Sequence, residues 1–113
     1  MSEEESRLPI KPPLEFARIE VYVERRTNGR AVGRDVVTKV IEEIRSVTEA
    51  AIGRSRLEGS RAQLAAADTA VDEICERLDP CVRSVEVTIR GSSRAAQGRT
   101  EWLSWKRTVM VNG

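Results

Sequence analysis

Apolar and polar residues alternate along residues 15–26, where one parity is apolar and mostly β-branched and the other is mostly charged. This period of two is typical of a strand with one buried face. The turn sequence Asn28-Gly29 follows and ends the predicted strand. Residues 30–32 are a weaker candidate for a short second strand.

Two helices are predicted in the middle of the chain, where apolar residues recur every three or four positions. The first helix begins near Asp35, a suitable N-cap, and ends at Gly53. The second begins with the capping-box pattern Ser60-x-x-Gln63 and ends before Pro80. Because their connection is short, we expect the two helices to be antiparallel.

The C-terminal third returns to alternation. Residues 82–90 are predicted as a strand, residues 91–98 as a polar loop, and residues 99–111 as a long last strand. Both parities of the last strand carry apolar side chains. We therefore expect its second face to be covered in part as well.

The first 14 residues form a separate segment with three consecutive glutamates and three prolines. Proline prevents helix formation and ordinary sheet pairing, so this segment is predicted to be an extended arm. Residues 15–113 are then a single α+β domain in the order β-α-α-β-β. The expected architecture is an antiparallel helix pair packed on one face of a sheet of three or four strands.

The composition is that of a folded protein, with 40% hydrophobic residues, 33% charged residues and a formal net charge of +1. No apolar run approaches the roughly 20 residues that span a bilayer, so no contact with a membrane is expected. The acidic N-terminus is unlike a signal peptide. We therefore expect the protein to be cytoplasmic at synthesis.

Catalytic chemistry has little support in the sequence. Histidine is absent, which removes the commonest general acid–base and the commonest metal ligand. Cys75 and Cys81 match no redox or zinc spacing and are interpreted as buried, reduced thiols. The helical row of Asp68, Asp72 and Glu76 is expected to be solvated or ion-paired with neighbouring subunits. The sequence thus predicts no catalytic residue, no cofactor and no metal, and an enzyme is the least favoured class.

Three features are candidates for binding: the basic turn at residues 25–34, the arginine-rich loop at residues 90–99, and the sheet face opposite the helices. That face is predicted to carry Arg18, Glu20, Tyr22, Glu24, Glu86, Thr88, Arg90, Trp102 and Lys106. Arginine and aromatic residues are favoured at interfaces, and arginine also binds phosphate. If the turn lies at the same end of the sheet as another basic segment, the two form a shared basic rim. The candidate interface or phosphate-contact residues are Arg25, Arg26, Arg30, Arg90, Arg94, Arg99, Tyr22 and Trp102.

Two classes of function follow. The first is a non-enzymatic assembly subunit that forms homo-oligomers through its arm, its sheet edges and its long C-terminal hairpin. In architecture only, the chain is similar to small head–tail and tail components of bacteriophages, which implies other assembly proteins as partners and incorporation in a virion. The alternative is a small nucleic-acid-binding module that uses the arginine-rich loops, although the near-neutral net charge counts against it.

Overall fold

The computed structural model describes residues 12–25, 34–94 and 98–111. Its elements are β1 (Leu14–Arg25), α1 (Arg34–Arg54), α2 (Ser60–Cys75), β2 (Val82–Arg94) and β3 (Thr100–Met110), with a short 3-10 turn at Arg56–Glu58 between the helices. The predicted α+β class and the order β-α-α-β-β are confirmed. Most of the predicted arm and the short strand at residues 30–32 lie outside the described residues.

The three described strands form one antiparallel sheet in the order β1-β2-β3. Both helices pack on the same face of it, α1 against β1 and α2 against β2 and β3. This inner face and the apolar sides of the helices make up the core, in which Ile44, Val71, Val85 and Val87 are fully buried. Within the described residues, neither helix combines the length and the apolar character of a bilayer-spanning helix.

The predicted loop at residues 91–98 is wrong in its first half, because β2 continues to Arg94. Ser92 and Ser93 pair with both neighbouring strands and are buried. The polar composition concealed this, since the hydrogen bonds of the ladder come from the backbone and not from the side chains. Residues 91–94 therefore belong to a hairpin of two long strands, β2 and β3, and not to the predicted loop.

The predicted capping box at the start of α2 is also wrong. Ser60 is already helical, and no side chain caps this end of the helix. The Gln63 side chain instead accepts a hydrogen bond from the Leu14 N–H at 2.8 Å and donates one to the Ile52 carbonyl at 2.9 Å. One buried amide thus joins the start of β1 to both helices.

The chain enters β1 along the N-terminus of α2. The Ser60 N–H donates to the Pro12 carbonyl at 3.1 Å, and the two prolines before Leu14 are half-buried. Leu14, which sequence analysis assigns to the arm, is the first residue of β1 and only 4% exposed. The arm residues that lie outside the description are therefore 1–11.

Candidate interaction surface

The outer face of the sheet, which turns away from both helices, is uncovered within the described chain. It carries the even-numbered residues of the three strands between the register shifts of β1, namely 16–24 of β1, 84–94 of β2 and 100–110 of β3. Four large apolar side chains lie there and are half or more exposed: Phe16 (53%), Tyr22 (67%), Trp102 (75%) and Met110 (62%). The nine residues that sequence analysis assigns to the outer face all lie on it. Among residues 12–25, 34–94 and 98–111, none covers the second face of the last strand, which sequence analysis expects to be partly covered.

One end of the outer face is aromatic and basic. The strand register places Phe16, Ser92 and Trp102 side by side, and we call these three residues the aromatic row. The next row brings Arg18 directly opposite Arg90. Arg18 forms an ion pair with Glu20 at 3.3 Å, whereas Arg90 has no carboxylate partner among the described residues.

The other end of the outer face is acidic. Glu86 pairs with Lys106 at 3.3 Å, and Glu24 accepts a hydrogen bond from the Ser84 hydroxyl at 3.0 Å. Each exposed pair of this kind contributes about 0–1 kcal/mol, because solvent screens it. The outer face is thus balanced in charge but polarised along the strands.

The described arginine candidates do not form a single group. Arg25 ends β1, whereas Arg94 and Arg99 lie at the opposite end of the sheet, about 40 Å away along β2. Arg94 is engaged with Glu15 at 3.6 Å, and Arg99 is exposed just before β3. A rim shared by these segments is therefore not formed. Arg26 and Arg30 lie outside the described residues.

Arg107 lies on the inner face and binds the acidic row of α2. Its Nη1 is 2.6 Å from Asp68 Oδ1, and its Nη2 is 2.5 Å from Asp72 Oδ1. These hydrogen bonds raise the pKa of the guanidinium. The two aspartates thus hold β3 against α2 within one chain. This contact could have been predicted from two features of the sequence. One is the i, i+4 pair of aspartates on α2, and the other is an arginine on the core-facing parity of β3.

The two cysteines are free in the structure. Burial and the nearby Asp72 carboxylate raise the pKa of the Cys75 thiol to about 11. Cys81 is half-buried and its pKa is also raised, whereas the hydrogen bond from the Cys81 N–H lowers the pKa of Asp79. Neither thiol has the lowered pKa of a reactive cysteine. No metal-ligand cluster occurs among the residues that the structure describes.

An open groove of about 640 Å³ runs between exposed residues of α1 and the end of α2. Its lining mixes Lys39 and Arg77 with two glutamates over a floor that includes Val47 and Ile74.

The outer edge of β3 is open, since no described strand pairs with it. The Val111 N–H donates to the Arg83 carbonyl at 2.8 Å, and the eleven β2–β3 pairs continue without a register shift. Because antiparallel hydrogen-bonded positions alternate, odd residues of β3 bond to β2. The even residues from Trp102 to Met110 therefore direct their N–H and C=O groups outward. Sequence analysis expects open sheet edges but does not identify β3 as one of them, because the strand order and register are not visible in one strand.

Comparisons of this chain with models of protein families, with curated proteins and with solved structures find no match. The outer face and the open β3 edge are therefore the features from which a function is inferred.

Proposed function

We propose that this protein is a non-enzymatic assembly subunit. It forms homo-oligomers through its arm, its sheet edges and its long β2–β3 hairpin. The observation that carries the proposal is the uncovered outer face, on which Phe16, Tyr22, Trp102 and Met110 are all exposed. Exposed aromatic and apolar side chains on one face, interspersed with charges, are characteristic of protein–protein contacts.

The proposal extends to partners and location. Other assembly proteins are the expected heterologous partners, by the architectural likeness to bacteriophage head–tail and tail components. On this proposal the subunit is made in the cytoplasm and is incorporated in a virion.

The first test is the absolute mass in solution, measured by light scattering behind size exclusion at low and high salt. We expect a multiple of the 12.6 kDa chain that persists at high salt, because apolar contacts are not screened. A monomer at all concentrations and salts would contradict the proposal. Deletion of residues 1–11 tests the arm. A deletion through Leu14 would remove a core side chain and confuse the result.

A pair of variants localises the contact. Trp102→Ser removes a side chain that is 75% exposed on the outer face, and Leu57→Ser removes one that is 97% exposed between the helices. We expect Trp102→Ser to lower the mass in solution and Leu57→Ser to leave it unchanged. Equal effects would show that general surface hydrophobicity, and not the outer face, drives association.

A second candidate function is binding of single-stranded nucleic acid. The observation that favours it is the aromatic row beside Arg18 and Arg90, because bases stack on exposed aromatic rings and arginine contacts phosphate. Titration with a short oligonucleotide at low salt should quench tryptophan fluorescence. Arg90→Ala should weaken that binding and reduce its salt dependence, whereas Arg45→Ala on α1 should not. No quenching at low salt would remove this candidate.

A further inference from the structure

We propose that β3 pairs with β3 of a second copy in antiparallel orientation, centred on Ser104. The result is a continuous six-stranded sheet with a two-fold axis perpendicular to it at Ser104. This inference rests on the proposed assembly function and names one of its contacts.

The backbone of β3 is suited to strand addition, and that of β1 is less so. The β2–β3 ladder is regular over its whole length, which leaves a straight row of outward N–H and C=O groups on β3. The β1 edge is interrupted by register shifts between Leu14 and Phe16 and between Glu24 and Arg25. Bulges and flanking prolines are the usual protection of an edge strand. The two open edges therefore differ: β3 has no bulge and no flanking proline, and its edge devices are the charged Lys106 and the inward-facing Arg107.

The sequence of β3 is self-complementary about Ser104. Antiparallel pairing with Ser104 opposite itself sets five kinds of pair across the new contact: Thr100 with Thr108, Glu101 with Arg107, Trp102 with Lys106, Leu103 with Trp105, and Ser104 with Ser104. These combine opposite charges, a cation beside an indole ring, an apolar pair and two hydroxyl pairs. Cross-strand neighbours of these types stabilise sheets.

Neighbouring registers lack this match. A centre at Trp105 places Leu103 opposite Arg107 and Glu101 opposite Val109, and so pairs charged with apolar residues. A centre at Lys106 places two lysines directly opposite each other, which is destabilising. Of the registers centred at Ser104, Trp105 and Lys106, the charge and apolar pattern therefore favours Ser104. The same residue lies on the even parity, whose backbone groups point outward.

The inner face of β3 also favours this contact. Leu103 and Trp105 are only half-buried, because α2 covers β3 incompletely. The perpendicular two-fold axis places the helices of both copies on the same side and sets Leu103 beside Trp105 of the second copy. The Arg107 side chain remains 31% exposed while it binds α2, which leaves it accessible to Glu101 of the second copy.

Cysteine cross-linking tests the register. In a hydrogen-bonded antiparallel pair the Cα atoms are about 5.5 Å apart, within disulfide range. Under mild oxidation we expect Ser104→Cys to give a covalent dimer. The matched variants Lys106→Cys and Thr108→Cys lie on the same face and edge but oppose other residues, so we expect neither to cross-link above the wild-type level. Dimerisation through Lys106→Cys instead would overturn the Ser104 register.

Ser104→Pro tests the edge itself. It removes the central outward N–H and leaves the odd-numbered bonds to β2 in place. Circular dichroism should show that the Ser104→Pro variant is folded. Light scattering should give a mass in solution of half the wild-type value or less. An oligomeric wild type whose mass is unchanged by Ser104→Pro, and which does not cross-link at Ser104→Cys, would overturn this inference and leave the proposed function standing. A monomeric wild type would overturn both.

Discussion

Gly91 lies on β2 directly against the backbone of β1. A Cβ atom at this position would lie 2.7 Å from the Phe16 carbonyl oxygen and 3.0 Å from the Leu14 Cδ2. A contact with backbone cannot be relieved by a rotamer change, so the strands would have to move apart. At Gly53, near the end of α1, an added Cβ atom would meet no other atom within 4 Å.

The same substitution should therefore have opposite effects at the two glycines. We expect Gly91→Ala to lower the free energy of unfolding by about 1–3 kcal/mol through overpacking. Gly53→Ala should raise it by about 0.5–1 kcal/mol, because alanine is the better helix former. Urea denaturation measures both. A neutral Gly91→Ala would show that the two strands are not packed as described.

Cys75 gives an alkaline limit to stability. Its folded pKa of about 11 exceeds the value near 8.5 of an exposed thiol. Between about pH 9 and 11 the unfolded chain loses this proton and the folded chain keeps it, so stability falls as the pH rises. Thermal unfolding across that range should show a smaller loss in Cys75→Ala than in the wild type. If the wild type and Cys75→Ala lose equal stability over this pH range, groups other than Cys75 cause the loss.

At the scale of elements, Gln63 is the side chain that links β1 to the helix pair. Gln63→Met keeps the length of the side chain but leaves the Leu14 N–H and the Ile52 carbonyl without this partner. We expect a loss of about 2–4 kcal/mol, since each buried unpaired polar group costs about 1–3 kcal/mol. Thr69→Ala is the control on the same helix, because its hydroxyl bonds only to the Ala65 carbonyl and is exposed. Denaturant unfolding should show a control change within about 0.5 kcal/mol.

The helices, three strands and their order could be predicted from the sequence because periodicity reports which side of an element is buried. The end of β2 could not, since Gly91 and Ser92 are buried by strand pairing and not by their own apolar character. Ser60-x-x-Gln63 fits a local cap equally well, and only the position of Leu14 shows that Gln63 has distant partners. A local sequence pattern predicts the wrong hydrogen bond when a residue distant in the sequence bonds to the same side-chain atoms, as Leu14 does with Gln63.

At the scale of the whole molecule, the candidate surface was predicted in membership but not in arrangement. Parity alone places Tyr22, Arg90 and Trp102 on one face. Their grouping into an aromatic end and an acidic end depends on the register between strands. The register also separates Arg25 from Arg94, which the sequence alone leaves undetermined.

The two tryptophans of β3 should differ in their effect on folding. Trp105 packs against the core, whereas Trp102 is 75% exposed. We expect Trp105→Ala to lower the free energy of unfolding by about 3 kcal/mol, as large-to-small substitutions in cores do. Trp102→Ala should change it little and should lower the mass in solution. Chemical denaturation and light scattering on the same samples check both, and reversed effects would contradict the assignment of the two faces.

The long connection between β1 and its partner strand has a consequence for synthesis. Glu24 contacts Ser84, which lies 60 positions later in the chain. At a translation rate of about 5–20 residues per second, β1 is made roughly 3–12 s before the strand that it pairs with. During that interval its apolar parity has no sheet to join, whereas the charges of Arg18 and Glu20 keep the other parity soluble. Arg18 and Glu20 thus flank an apolar parity that has no partner yet, as gatekeeper charges do in strands that are exposed during folding.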